Sequence, residues 1–210
     1  MATALLDAHK KGRVRVAIGR ASDFFGPGVR QSAMGARVFE PALTGQTATV
    51  LGDLSLPHTY SYVPDIARGL VILGQRDEAL GEVWHLPGPE TVTTREFLTL
   101  IFSEVGYSPK TQRAGKLMLR FLGFFNPQVR ELTEMMYQFE EPFVVEHTKF
   151  VEAFGDISTP LTEAIRTTVE WYRAAAEPHE PVAPEPDESV RPTDDLASGA
   201  VGDPDQKSTE

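Results

Sequence analysis

Apolar residues recur at helical spacing in several stretches of this chain and bunch into short runs between them. Residues 2–11 place Ala4, Leu5 and Ala8 on one side of a helix, with His9 at its margin. Lys10 and Lys11 suit the negative end of that helix, and Gly12 suits a left-handed cap. The run VRVAIG, Val14 to Gly19, alternates and then turns apolar, which predicts a strand. A helix leading directly into such a strand points to an α/β fold. DFFGPG stops the strand in a tight loop. Residues 32–43 predict a helix on Met34, Val38 and Leu43, and TATVLGD and PHTYSYV predict two further strands. Pro64 and Asp65 open a helix carrying Ile66, Ala67, Leu70, Val71 and Leu73. EVWHLPG predicts another strand.

The clearest signals come later. Thr93 and Glu96 have the spacing of a capping box, and Phe97, Leu100, Ile101 and Val105 follow at helical intervals until Gly106. LMLRFLGFF and the segment after Asn126-Pro127 predict two helices, the second on Val129, Leu132, Met136 and Phe139. A final helix runs from Pro160 to about residue 175 on Leu161, Ala164, Ile165, Thr168, Val169 and Tyr172, with Thr159 as its cap. After Ala176 the periodicity stops and Pro, Glu, Asp and Ser dominate. Such a tail buries too little apolar surface to offset roughly 1–2 kcal/mol of backbone entropy per residue, which predicts disorder over 177–210. The pattern therefore predicts two parts, a folded 1–176 and a Pro-rich acidic tail.

Charge sharpens that division. Of the net −10, most lies in the tail, which has ten acids against two bases, while residues 1–176 have twenty acids and eighteen bases. With no basic stripe, nucleic acid is not an expected partner. No run approaches the roughly 20 apolar residues of a membrane span. Asp7 interrupts the first apolar stretch, which does not read as a signal peptide. There is no Cys, and the five His form no His-Glu-x-x-His pair, so neither a disulfide framework nor a metal centre is expected. The expected location is the cytoplasm.

Candidate chemistry lies at strand ends. Ligands bind beyond the carboxyl edges of parallel strands, which makes RASDFFGPG a candidate ligand-facing loop, with the polar Asp23 set directly before two aromatic residues. By pattern alone, an ordinary strand-to-helix turn with a capping Asp is the favoured reading. His58 and Asp65 have plain readings as a turn residue and a helix-capping residue, and His85 as a satisfied core His. Arg95 stands in the first turn of a helix, unfavourably for the dipole, a weak mark of function. Glu140 and Glu141 are adjacent and do not face each other on a helix.

Taken in order, Arg20-Ala-Ser-Asp-Phe-Phe-Gly-Pro-Gly28, Gly52-Asp53, His58-Thr-Tyr-Ser-Tyr-Val-Pro-Asp-Ile-Ala67 and Val83-Trp-His-Leu-Pro87 resemble the C-terminal part of the NAD(P)-dependent epimerase/dehydratase family, the extended short-chain dehydrogenases/reductases. The resemblance extends over about 1–175. The family's loop reads Arg-x-x-Asn-x-Tyr-Gly-Pro, with Asp23 here for the Asn and Phe25 for the Tyr. Its later strand reads Arg-Asp-Phe-x-Tyr-Val-x-Asp-x-Ala, with His58 here for the Arg, while Tyr62, Val63, Asp65 and Ala67 match.

The resemblance implies an α/β fold: the C-terminal portion of a Rossmann-like extended short-chain dehydrogenase with its substrate-binding subdomain. It implies NAD or NADP as cofactor, with Ala21 and Ser22 beside the nicotinamide ring, and a small hydroxylated or sugar-like substrate met by Asp23, Phe25, His58 and Arg95. His58 would replace a cation that grips phosphate in nucleotide-sugar members, and a neutral His is a poorer anion clamp than a bidentate Arg. No Gly-x-Gly-x-x-Gly loop is present, and none of the five Tyr is followed four positions on by Lys. No catalytic residue is therefore expected in this chain. Helix 2–11 resembles the second half of the family's Tyr-x-x-x-Lys helix, so the expectation is an N-terminally truncated enzyme whose partner is a missing N-terminal half or a second copy in a homodimer. The alternatives are one half of a split enzyme and a non-catalytic binding module.

Overall fold

The computed structural model describes residues 1–114 and 137–176, all within the unit Met1–Glu177. The tail 177–210 and most of the two helices expected after residue 116 lie outside the described residues. Helix α1 (Ala2–Lys10) is followed by Gly12 at φ 68°, the left-handed turn its position required, and buries none of its residues. Strand β1 (Ile18–Arg20) is shorter than the apolar run Val14–Gly19. It runs parallel to β6 (Val83–His85), with Ile18 opposite Val83 and Arg20 opposite His85.

DFFGPG holds more than a turn. Strand β2 (Asp23–Phe25) runs parallel to β5 (Tyr60–Tyr62), with Asp23 opposite Tyr60. The bend follows at Gly26, φ 134°, where an added Cβ would stand 3.2 Å from the Tyr62 ring. PHTYSYV divides into β4 (Pro57–His58), antiparallel to β7 (Val92–Thr93), and β5. Thr59 lies at the break, and all its polar groups are engaged. Its N–H donates to the Phe143 carbonyl (2.8 Å), and its own carbonyl accepts from Ser22 Oγ. Its hydroxyl pairs with Thr91 Oγ1 (2.7 Å) and accepts from the Val145 N–H (3.0 Å).

Helix α2 (Ala36–Leu43) starts later than its apolar spacing predicts. Strand β3 (Ala48–Leu51) pairs in parallel with β8 (Thr111–Ala114), a strand whose polar sequence TQRA gave no signal. Helix α3 (Val63–Gln75) has Pro64 and Asp65 in its first turn. Helix α4 (Thr94–Glu104) makes the capping box in both directions: the Glu96 N–H donates to Thr93 Oγ1, and the Thr93 N–H donates to the Glu96 carboxylate. Then come α5 (Tyr137–Glu140), α6 (Thr148–Phe154) and α7 (Leu161–Ala176). Thr159 does not cap α7. Its hydroxyl and N–H both donate to Asp65, and the Leu161 N–H is met by Glu90 (2.9 Å).

Two hydrophobic clusters hold these elements. The larger joins β2, β3 and β5 to α2, α4 and α7 through Phe25, Phe39, Phe97, Phe102 and Ile165. The smaller packs Trp84 and Leu86 against Ile66 and Leu73 of α3 and Phe150 of α6. Among the described residues no helix is long and apolar enough to cross a membrane.

Candidate functional site

Strands β1 and β6 are parallel, and crevices beyond the carboxyl ends of such strands receive ligands. The chain that follows β1 lines a cleft of about 400 Å³, whose lining includes Ser22, Asp23, Phe24, Arg37, Val63 and Phe139. That volume suits a small molecule.

Asp23 is its central polar group. Its side chain is 28% exposed, and Oδ2 lies 2.9 Å from Nε2 of His58, which is only 4% exposed. A carboxylate only accepts, so His58 Nε2 carries the hydrogen. The imidazole is enclosed by the rings of Tyr60, Phe143 and Phe139, at centroid distances of 4.6, 5.1 and 5.8 Å. His58 thus stands behind Asp23 and is not a lining residue. Two of the positions that depart from the family pattern, Asp23 and His58, are bonded to each other.

The remaining expected residues divide. Ser22 lines the cleft, with its N–H donating to Ser61 Oγ (2.8 Å) and its hydroxyl to the Thr59 carbonyl. Ala21 is half-buried against the smaller hydrophobic cluster. Phe25 is fully buried between Tyr62 and Phe97, at 5.4 and 5.0 Å. Strand alternation explains this: Phe25 points into the core and Phe24, 44% exposed, faces the cleft. Arg95 is exposed and does not line the cleft; its charge helps lower the Asp53 carboxyl below its ordinary value, an effect due mainly to hydrogen bonds from Ser55. His85 is exposed, not core, with Nδ1 at 2.9 Å from the Glu146 carbonyl.

Asp65 is wholly buried, accepting from the Thr159 N–H (2.9 Å), the Thr159 hydroxyl (2.7 Å) and Arg68. Its visible work is to fix the approach to α7. Tyr60 is no proton carrier for the cleft. Burial pushes its phenol far above the ordinary value, and its hydroxyl is bonded to Thr94 Oγ1 (2.7 Å). Phe24, Arg37 and Phe139 escaped the sequence reading. Only Phe24 had a signal, the alternation of DFF once it is seen as a strand.

A nicotinamide dinucleotide would find a partial fit. The half-buried Ala21 and the cleft-lining Ser22 follow the end of β1, where a flat ring could lie. Ser22 has already spent its N–H and its hydroxyl hydrogen, so it would offer only oxygen lone pairs and its surface. The sequence has no Gly-rich phosphate loop. The residues present fit the nicotinamide end alone.

Parallel strand pairs flanked by helices, with a cleft beyond the carboxyl end of β1, define an α/β protein of Rossmann-like type. Residues 1–86 match the model of the NAD dependent epimerase/dehydratase family, which upholds the resemblance read from the sequence. No curated protein matches the chain. Among solved structures, it is similar to DesIV, a dTDP-glucose 4,6-dehydratase from Streptomyces venezuelae with NAD bound, at 16% identity and a TM-score of 0.64, covering 82% of this chain and 48% of that one. A UDP-glucuronic acid 4-epimerase from Bacillus cereus, in complex with UDP-glucuronic acid and NAD, gives 17% and 0.63, covering 82% and 50%. The UDP-glucose 4-epimerase of Thermus thermophilus, complexed with NAD, gives 21% and 0.62, covering 82% and 51%. At such identities the likeness is one of fold. The chain spans about half the length of these structures.

Proposed function

We propose that this chain supplies the substrate side of an NAD(P)-dependent epimerase, dehydratase or reductase acting on a small hydroxylated or sugar-like molecule. The observation that carries this reading is the cleft beyond the carboxyl end of β1, lined by Ser22 and Asp23 within the segment that matches the family model. In this reading Ala21 and Ser22 adjoin the nicotinamide ring, and Asp23 meets the substrate. NAD or NADP supplies hydride transfer when bound. Phe25, His58 and Arg95 serve from behind or beside the cleft, by holding Asp23 and the surrounding loops. The protein acts in the cytoplasm on a small molecule, as a homodimer or with a separate N-terminal half.

The absence of any Tyr-x-x-x-Lys pair favours a second reading. This chain would then be the binding half of a split enzyme, or a non-catalytic module, and would depend on another polypeptide for proton transfer. One experiment separates the two. The 210-residue chain and the longest open frame containing it are each expressed and assayed, by nicotinamide absorbance, for oxidation or reduction of hydroxylated substrates. Turnover in the longer frame alone supports an intact enzyme. Turnover in neither, with both chains folded, overturns the enzymatic reading.

A further inference from the structure

The cleft has a charged end built in an unusual way. Asp23 presents a carboxylate to it, and His58 behind fixes that carboxylate through Oδ2 (2.9 Å). His58 has no freedom to swing out and meet a ligand. It is 4% exposed and enclosed by three rings. Asp23 Oδ1 has no hydrogen-bond partner among the described residues. Arg37 lines the same cleft from α2, is exposed, and forms no ion pair with Asp23. The cleft therefore has an accepting end at Asp23 and, apart from it, a cationic group at Arg37.

A fixed carboxylate repels phosphate and carboxylate groups and rewards hydrogen-bond donors, because bonds to a charged acceptor are the strong ones. We propose that Asp23, oriented by His58, selects the substrate by accepting a hydrogen bond from its hydroxyl or ammonium group. The part of the substrate that lies against β2 is then uncharged or cationic, and any anionic group belongs at Arg37. This inference rests on the functional reading above and names its substrate class: a small polyol or amino polyol, not a phosphate ester held at position 58. His58 is a positioning residue. It denies the carboxylate other rotamers and satisfies one of its oxygens.

The test is amide NMR of the 210-residue chain titrated with myo-inositol, D-glucosamine and inorganic phosphate. The expected result is that myo-inositol or glucosamine shifts the amides of Ser22 to Phe24 and phosphate does not. Asp23→Ala should weaken that binding about tenfold, the scale of one hydrogen bond to a charged group. Asp23→Asn distinguishes the donors: an ammonium loses as much as with Ala, whereas a hydroxyl keeps most of its affinity. His58→Gln, which keeps a donor, should bind better than His58→Leu. If His58→Leu does not fold, the two Asp23 variants decide alone. The proposal is overturned if phosphate moves these amides, if Asp23→Ala leaves the affinities unchanged, or if no probe moves them at millimolar concentration. Donor binding through Asp23 without nicotinamide turnover in the longer frame removes the enzymatic reading and leaves this one standing. Turnover indifferent to Asp23 removes only this one.

Discussion

The two hydrophobic clusters are built from similar residues and finished differently. In the larger, Phe25, Phe97, Phe102 and Phe39 are each no more than 1% exposed, and α2, α4 and α7 close around them. The smaller is bordered by apolar residues left at the surface. Leu70 and Val71 of α3 are 51% and 56% exposed, although Ile66 and Leu73 of the same helix are buried. Val14, before β1, and Leu5, on α1, are also exposed. Helix α3 carries apolar residues on more than the face that buries Ile66 and Leu73. Among the described residues, only the face that meets the smaller cluster is covered. Apolar periodicity thus reports how much surface a helix is able to bury, and not how much the rest of the chain covers.

The largest expected effect breaks the closed cluster. Phe97→Ala should cost about 3–5 kcal/mol, by lost burial and the cavity left behind, measured by urea unfolding. A loss under about 1 kcal/mol would mean that the cluster collapses around the gap. Next is the joint between the two regions. Asp65→Ala strands the Thr159 N–H and Arg68 and should cost about 1–3 kcal/mol, with Asp65→Asn milder. Equal costs for both variants would show that shape, not acceptance, matters there. On the open side, Leu70→Ser with Val71→Ser should change stability by less than about 0.5 kcal/mol and should reduce binding of a hydrophobic dye. A loss as large as that of Phe97→Ala would show that this face is covered in solution. The smallest effect is alkaline. Burial raises the Tyr172 phenol from 10.0 to about 12. Its neutral form is favoured in the fold, so this contribution is intact below pH 10 and lost as pH rises through about 12. A spectrophotometric titration in which every phenol ionises together near pH 10 in the folded chain would contradict it.

Much of the fold could be read from local chemistry. The capping box of Thr93 and Glu96, Gly12 after α1, and Pro64-Asp65 opening α3 each depend on residues within one turn, and each formed as expected. Long-range pairing escaped. Nothing in TQRA announces β8, because its partner β3 lies 63 residues earlier, and Thr159 was drawn from its cap by Asp65, distant in sequence. The candidate site was half visible. Asp23 and His58 stood out as separate oddities in a family pattern, but their mutual hydrogen bond is a fact of the β2–β5 and β4 arrangement. Phe25 was misplaced toward the substrate because the alternation of a three-residue strand is too short to see.

Thr59 has a consequence for motion. Its carbonyl holds Ser22 at the cleft, while its N–H and hydroxyl hold Phe143 and Val145 on the approach to α6. One residue is thus a mechanical joint between the cleft wall and a segment more than eighty positions away. A ligand that shifts Ser22 acts on that joint, so its arrival should be registered in altered hydrogen exchange at the Val145 amide, which Ser22 reaches through Thr59.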